Sequence, residues 1–158
     1  MRAVTVIAIS VACVLAAPSP AAAVGDGAGR ARIARYLAAH PGGTPLNDNE
    51  ISYAGGALVV TLAAPPMADA LDCPAGWFCF YDRPGYGYPR GKLSSCGRQN
   101  LATWGWQYRT ESAYYTPARG SVRFYYNNQL LYELTAGQPN KPDFWPYRNL
   151  ANYVERVC

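Results

Sequence analysis

The cysteines constrain the fold of this chain more than any other feature of its sequence. Four of the five follow residue 70, at Cys73, Cys79, Cys96 and Cys158. An even number of cysteines in an exported chain predicts disulfides, here two. Four cysteines allow three pairings, but Cys73 and Cys79 enclose a loop short enough for a local bridge, which leaves Cys96 to pair with Cys158. A zinc site is the alternative, although neither paired C-x-x-C motifs nor a histidine pair accompany these residues.

The fifth cysteine, Cys13, belongs to an N-terminal segment with the features of a secretory signal peptide. A charged start at Arg2 precedes an apolar run over residues 4–17, and small residues lead up to Ala23. The apolar run is too short to cross a bilayer, which needs about 20 residues. A membrane anchor or a lipoprotein attached through Cys13 is the alternative. We expect a signal peptide over residues 1–23 and a mature protein that is secreted and extracellular.

The charge distribution argues against nucleic acid as a partner. Fourteen Lys and Arg residues against ten Asp and Glu residues give a formal net charge of +4. The basic residues are scattered among aromatic residues and form no run along which a phosphate backbone could bind. We expect a monomer that binds neither nucleic acid nor a membrane, and whose partner is an extracellular peptidase or a ligand of the cell envelope.

The sequence lacks the residues of the common catalytic sites. His40 is the only histidine, and it stands beside Pro41 at the end of an expected helix. A single histidine provides neither a usual Ser-His-Asp site nor a histidine-rich metal site, and the cysteines are expected to form disulfides. A carboxylate pair such as Asp82 with Glu111, acting in sugar hydrolysis, is the remaining catalytic alternative. We predict that the protein is not an enzyme and uses no cofactor.

The composition divides the chain after the signal peptide into two parts. Residues 24–63 contain an expected helix around Ile33 and a β-hairpin with its turn at residues 54–56. Residues 64–72, rich in Ala and Pro, are predicted to be a linker. An isolated hairpin is only marginally stable. This N-terminal arm (residues 24–63) therefore either packs on the cysteine-bearing domain, residues 73–158, or behaves as a propeptide-like arm.

The cysteine-bearing domain has many short β-prone runs separated by turn residues, at the spacing of a β-sandwich. The runs lie at residues 77–81, 112–115, 121–126, 130–134 and 153–157. They recur in a loosely similar order, which predicts two related halves. We therefore expect a mainly β fold.

The segment Cys73–Gly87, which reads CPAGWFCFYDRPGYG, resembles the opening of the Streptomyces-type metalloproteinase inhibitor family, which is related to the βγ-crystallins. The spacing C-P-A-G-x-x-C-x-Y is the specific part of the resemblance. Tyr81 and Tyr86 match the two aromatic residues of the crystallin signature, whereas the glycine position of the signature falls on Tyr88. The resemblance implies a βγ-crystallin-like Greek-key β-sandwich over residues 73–158, preceded by the small arm of helix and hairpin.

The resemblance also implies peptidase inhibition, in which a rigid exposed loop enters a protease cleft like a substrate and leaves slowly. The nearest match to the inhibitory loop of the family is residues 116–124, with Ser121–Val122 at the reactive position. The candidate inhibitory residues are Arg119, Gly120, Ser121, Val122 and Arg123. No cysteine between Cys96 and Cys158 braces this loop, so a plain connection between strands is the alternative. The predicted function is a secreted metallopeptidase inhibitor.

Calcium binding is a further candidate that the resemblance raises, because βγ-crystallin modules often carry pairs of oxygen-bearing side chains. The aligned stretch is residues 107–112, where Tyr108 and Arg109 replace oxygen donors by a ring and a positive charge. The second copy, residues 148–153, is poorer still. We therefore predict no metal site.

The alternative function is a non-catalytic extracellular module that binds a glycan, the cell envelope or a protein. Thirteen Tyr and four Trp residues provide rings that can stack on sugars or on apolar groups. The candidate aromatic platform is Trp104, Trp106 and Tyr108. The wider set of candidates adds Tyr114, Tyr115, Trp145 and Tyr147. Core packing competes for the same residues, because successive side chains of a strand point to opposite faces.

Overall fold

The computed structural model describes residues 24–65 and 71–158. The predicted signal peptide and residues 66–70 of the predicted linker lie outside the described residues. The described chain is mainly β, as predicted, with a single α-helix and two β-sheets. The elements are α1 (Val24–Ala39), β1 (Thr44–Pro45), β2 (Glu50–Tyr53), β3 (Leu58–Thr61), β4 (Phe78–Arg83), β5 (Gly87–Leu93), β6 (Gly97–Asn100), β7 (Ser112–Tyr115), β8 (Ser121–Tyr126), β9 (Gln129–Thr135), β10 (Asn140–Lys141) and β11 (Tyr153–Val157).

The strands form two antiparallel sheets that interlock. The larger sheet has the order β1-β2-β3-β5-β4-β7-β10, and the smaller sheet has the order β6-β11-β8-β9. In the first half of the cysteine-bearing domain, β4, β5 and β7 share the larger sheet while β6 lies in the smaller one. In the second half, β8, β9 and β11 share the smaller sheet while β10 lies in the larger one. The third strand of each half therefore lies in the sheet to which the other half contributes most of its strands.

The turn of the first hairpin in each half is closed by a side chain at the start of the fourth strand, Ser112, or directly before it, Asn152. Ser112 Oγ accepts a hydrogen bond from the Tyr86 N–H at 3.1 Å and donates one to Arg83 O at 2.7 Å. In the second half, Asn152 Oδ1 accepts a hydrogen bond from the Asn127 N–H at 2.7 Å, and its amide donates to Asn127 Oδ1 at 2.9 Å. Both turn residues have positive φ, 64° at Tyr86 and 53° at Asn127. These side-chain contacts hold the turns in that conformation.

The N-terminal arm extends the larger sheet. Strands β2 and β3 form a hairpin, and β3 pairs with β5 so that Val59 lies opposite Lys92. Ile33 of α1, Ile51 of β2 and Leu58 of β3 are buried in the same hydrophobic core as the sandwich. The sequence leaves open whether the arm packs on the domain, and the structure shows that it does.

Strand β4 is buried on both of its faces. Phe78 and Phe80 point into the core between the sheets, where they are fully buried. Cys79 and Tyr81 alternate with them and are also fully buried, since successive side chains of a strand point to opposite faces. The disulfide at Cys79 and the ring of Tyr86, 5.5 Å from that of Tyr81, lie on that second face. This strand therefore lies inside the larger sheet, between β5 and β7, and is covered on both faces.

Both predicted disulfides are present. Cys73 is bonded to Cys79 and Cys96 to Cys158, with Cα atoms 5.8 Å apart in each pair. The second bond holds Cys158 directly after β11, which lies between β6 and β8 in the smaller sheet. Disulfides persist in oxidising environments, so the pair indicates an extracytoplasmic setting. Within the two described ranges, no helix has the length and apolar character that crossing a bilayer requires.

Candidate functional site

The prediction of an exposed aromatic platform is wrong for two of its three residues, Trp104 and Trp106. Trp104 and Trp106 are only 5% and 0% exposed, and Trp106 stands edge-to-face on Phe80 with ring centroids 5.0 Å apart. Tyr108 is exposed, as a platform residue must be. Large rings remove the most apolar area from water when they are buried, so the core contains both tryptophans of this segment.

The predicted reactive position of an inhibitory loop is also wrong. Ser121, Val122 and Arg123 belong to β8, which pairs with β9 on one side and β11 on the other. Ser121 and Val122 are buried, so the peptide bond between them is closed to a protease cleft. Leaving the sheet would break backbone hydrogen bonds on both sides of the strand. Arg119 and Gly120 are exposed in the turn before β8.

Exposed apolar side chains gather on the connection between β10 and β11, residues 142–150, which we call the aromatic loop. Trp145 is 73% exposed, more than any other large hydrophobic side chain of the described chain. Tyr147 and Leu150 of the same loop are exposed too. Single exposed hydrophobic residues are ordinary, but exposed apolar groups concentrated on one short segment are typical of interaction sites.

The Asp143 carboxylate braces the aromatic loop from within. Its Oδ1 accepts hydrogen bonds from the Trp145 backbone N–H at 2.8 Å and from Arg148 Nε at 2.7 Å, and its Oδ2 accepts one from Arg148 Nη2 at 2.5 Å. The bonds from Arg148, and then the bond from the Trp145 N–H, lower the pKa of Asp143 to about 2. The carboxylate therefore stays ionised well into the acid range, and the brace stays in place.

Phe144 anchors the aromatic loop in the core. Its side chain is fully buried and stands edge-to-face on Phe124 and Tyr132, with ring centroids 5.0 Å and 5.6 Å away. Its backbone N–H donates to Glu111 O at 2.8 Å. The exposed ring of Trp145 therefore follows directly on a residue that is held by the core.

The segment before β7 lies against the aromatic loop. The Asn149 N–H donates to Thr110 O at 3.1 Å, and the Tyr108 N–H donates to Ala151 O at 2.9 Å. The side-chain amide of Asn149 also donates to Glu111 Oε1 at 2.6 Å. These bonds place the exposed Tyr108 next to the loop.

Tyr108 and Tyr126 form an exposed pair beside the aromatic loop, with ring centroids 6.4 Å apart. Tyr108 has a φ of 60°, a conformation that costs energy for a residue with a side chain and persists only where the surroundings enforce it. Such residues cluster at functional sites. We call Tyr108, Tyr126 and the aromatic loop together the aromatic surface.

The sequence contains a partial signal for the aromatic surface. Trp145 and Tyr147 belong to the wider set of predicted aromatic candidates, whereas Tyr126 and Leu150 do not. Trp145 lies outside every β-prone run and directly before Pro146. A proline-containing connection is usually at the surface, and that rule singles out Trp145 among the four tryptophans. No comparable signal separates Tyr126 from the tyrosines of the core.

The carboxylates considered for catalysis and calcium binding are engaged with other side chains. Asp82 accepts two hydrogen bonds from Arg109, and Glu111 accepts one from Asn149. Thr110, in the stretch compared with the calcium motif, is buried. Over residues 27–65 and 71–158, no three His, Cys, Asp or Glu side chains are grouped so that they could hold a metal ion.

Arg109 links the N-terminal arm to the cysteine-bearing domain. Its Nε and Nη2 each donate to a carboxylate oxygen of Asp82 at 3.0 Å, and its Nη1 donates to Tyr36 Oη at 3.0 Å. The guanidinium lies over the rings of Trp106 and Tyr36, 4.5 Å and 5.4 Å from their centroids. His40 Nε2 lies 3.3 Å from Arg109 Nη1. We call Arg109, Asp82, Tyr36 and His40 the arginine cluster.

The arginine cluster favours the neutral form of His40. Desolvation and the charge of Arg109 lower the pKa of His40 below its usual 6.5, and Asp82 opposes them in part. The unfolded chain therefore binds a proton at His40 before the folded chain does. The stability that the neutral ring contributes is complete above about pH 6.5 and is lost as the pH falls through the lower pKa of the folded state.

We predict that the melting temperature decreases as the pH is lowered from about 7.5 to about 5.5. His40→Gln is expected to remove most of this decrease. Differential scanning calorimetry of both proteins across this interval measures the effect. Glu50 and Asp143 also have lowered pKa values, but they do not affect this measurement. The stability that they contribute is lost only below pH 4.5 and pH 3.8, the usual pKa values of the two carboxyl groups. An equal fall in the variant would contradict the assignment to His40.

Protein-family models, curated proteins and solved structures contain no match to this chain.

Proposed function

We propose that this protein is a non-catalytic extracellular binding module that recognises a glycan through the aromatic surface. The observation that carries the proposal is Trp145, whose side chain is 73% exposed while its backbone follows the buried Phe144 and donates a hydrogen bond to Asp143. Aromatic rings stack on the apolar faces of sugar rings. A loop whose backbone is already held in place loses little backbone entropy on binding, which favours affinity.

Polar groups beside the exposed rings suit the hydroxyl groups of a sugar. The Asp143–Arg148 ion pair and Asn149 are at least partly exposed on the aromatic loop. Planar carboxylate, guanidinium and amide groups form hydrogen bonds in pairs, a geometry that matches neighbouring hydroxyls. The rings of the aromatic surface are exposed, whereas small molecules bind in concave sites that bury most of the ligand. A polysaccharide chain of the cell envelope is therefore the ligand class that we propose.

We predict that Trp145→Ala weakens binding to an insoluble envelope polysaccharide by about tenfold, the loss that corresponds to roughly 1.4 kcal/mol for one aromatic contact. The measurement is cosedimentation of the protein with peptidoglycan, chitin and cellulose over a range of polysaccharide concentrations. Leu46→Ala is the matched control, because Leu46 is also exposed but follows β1, at the opposite edge of the larger sheet from β10.

Three results of this experiment would overturn the proposal. Binding that is equal in Trp145→Ala and the unchanged protein would remove the role given to the aromatic loop. Failure to bind any of the three polysaccharides, with the protein folded, would remove glycans as the ligand class. A loss of binding in Leu46→Ala as large as that in Trp145→Ala would show a nonspecific apolar effect and would overturn it as well.

We further propose that residues 73–158 form a βγ-crystallin-like Greek-key domain. The exchange of third strands between the two sheets supports this assignment. The contacts of Ser112 and Asn152 with the two hairpin turns support it too, because they repeat the same function in the two halves. The predicted signal peptide makes secretion part of the same proposal, and the two disulfides support it.

Peptidase inhibition stays a prediction for which the described residues offer no exposed reactive bond at the assigned position. The reactive bond assigned to it, Ser121–Val122, is buried within β8. Arg119 and Gly120 remain exposed, and the Tyr115 hydroxyl donates to Arg119 O at 2.7 Å. That contact belongs to a short turn between β7 and β8 and does not favour inhibition over glycan binding.

A further inference from the structure

A cleft of about 330 Å³ lies between α1 and the strands of the larger sheet. Arg32 and Arg35 of α1 line it and are exposed, and Arg109 and His40 line it and are half-buried. We call it the arginine cleft. Its volume is that of a small-molecule site, since such sites begin at about 300 Å³. It shares no residue with the aromatic surface.

The basic side chains of the arginine cleft have no carboxylate among the residues that line it. Arg109 is paired with Asp82, which does not line the cleft. Arg32 and Arg35 are exposed, and none of the described carboxylates forms an ion pair with either of them. Like charges that converge without a counterion raise the energy of a site and attract anions to it.

Two other arginines of the described chain, Arg30 and Arg123, each lie within ion-pair distance of a carboxylate. Arg30, on the same helix, lies 3.9 Å from Asp48. The cross-strand pair of Arg123 with Glu133 has a nitrogen–oxygen distance of 2.9 Å. Arg32 and Arg35 differ from these two arginines in that no described carboxylate lies within ion-pair distance of either.

Apolar groups complete the arginine cleft. Leu62, which follows β3, and Pro89 of β5 line it and are half-buried. The ring of Tyr36 lines it as well and is held by the hydrogen bond from Arg109 to its hydroxyl. The cleft thus presents guanidinium groups at its entrance and an apolar wall beside them.

We propose that the arginine cleft binds a compact organic anion, that is, a carboxylate or phosphate group carried on a ring-sized, partly apolar body. Arg32 and Arg35 are three residues apart on α1, so their side chains project from the same side of the helix. Two guanidinium groups can each donate a pair of hydrogen bonds to one oxyanion. The body of the ligand lies on Leu62 and Pro89. This site works independently of glycan binding by Trp145.

Isothermal titration calorimetry at low ionic strength tests the proposal with three probes of similar size: sodium glucuronate, glucose 6-phosphate and glucose. We expect binding of at least one of the two anions and none of glucose. Arg35→Gln is expected to weaken anion binding by at least about tenfold, because the charge-assisted hydrogen bonds of one guanidinium are lost. Arg30→Gln is the matched control, because it removes the same charge from the same helix outside the cleft, and it should leave the affinity within about twofold.

Glucuronate carries a carboxylate and glucose 6-phosphate carries a phosphate, so the two probes show which oxyanion the cleft prefers. Binding of one of them without the other still supports the site. Equal binding of glucose, an equal effect of Arg35→Gln and Arg30→Gln, or no binding of either anion would overturn it. Inorganic phosphate that binds as tightly as glucose 6-phosphate would overturn the role of the apolar wall. Repeating the titrations with Trp145→Ala removes sugar binding at the aromatic surface, so that the two proposals fail or succeed separately.

Discussion

Replacing Cys96 and Cys158 by serine is expected to lower the free energy of unfolding by about 4 kcal/mol. The two residues are 62 positions apart, and a bridge that closes a loop of this length restricts the unfolded chain by about that amount. Both cysteines are exposed, so the serines themselves disturb little. Cys158 also directly follows β11, which lies between two other strands, and loosening it therefore affects the whole smaller sheet. Urea unfolding followed by tryptophan fluorescence measures the change.

The other disulfide provides the comparison. Cys73 and Cys79 are six positions apart, so the same relation gives about 2 kcal/mol for their bridge. Cys73→Ala with Cys79→Ala is the appropriate variant, because Cys79 is fully buried and alanine introduces no polar group there. An unfolding free energy that is unchanged in the Cys96 and Cys158 variant would contradict the loop-length argument.

Arg109→Met is expected to destabilise the protein by about 2 kcal/mol, between the value for an exposed ion pair and the low end of the range for breaking a fully buried one. The side chains of Arg109 and Asp82 are only 19% and 26% exposed, so the variant leaves the Asp82 carboxylate poorly solvated and without its partner. It also removes the hydrogen bond to Tyr36, which holds α1 against the cysteine-bearing domain. Methionine keeps much of the apolar contact with Trp106. Urea unfolding gives the loss, and hydrogen exchange of α1 shows its location.

Arg123→Met is the matched control for Arg109→Met. Arg123 also pairs with a carboxylate, that of Glu133, but these side chains are 38% and 33% exposed. A pair this open to solvent contributes little to stability, because water screens the two charges. Losses of equal size in the two variants would show that burial does not decide the strength of the Arg109 pair. A double-mutant cycle with Asp82→Asn isolates the interaction from other effects of the substitution.

The disulfides were predictable because the spacing of cysteines restricts which of them can meet. Cys73 and Cys79 are too close in the chain for their loop to leave many alternatives, and the remaining two then have only each other. The β-prone runs were predictable for a related reason. The run 121–126 coincides with β8, since β-branched and aromatic residues fit a pleated, half-buried strand.

The same segment shows where a local pattern conflicts with a resemblance. Residues 119–123 were predicted to form an inhibitory loop, whereas Ser121–Tyr126 also has the pattern of a strand. The structure favours the strand, because Val122 and Phe124 are buried in the core. A loop that kept Val122 exposed would lose that apolar burial and the backbone hydrogen bonds to both neighbouring strands.

The tryptophans show what local sequence cannot provide. Trp104 and Trp106 lie in a loop-like segment, yet both are buried, whereas Trp145 lies in a similar segment and is exposed. The difference depends on which surface each loop meets after the sheets have assembled. Trp106 meets Phe80 of a distant strand, while the core space beside the aromatic loop is filled by Phe144.

The sequence by itself determined the disulfide pairs, the mainly β character and the positions of several strands, because these depend on residue type and on short spacing along the chain. Only the tertiary structure decided that the N-terminal arm joins the larger sheet, that the aromatic surface forms around Trp145, and that Arg109 meets Tyr36. Those two residues are 73 positions apart. Contacts between such distant residues arise from sheet order and packing, about which the spacing of residues along a single chain carries no information.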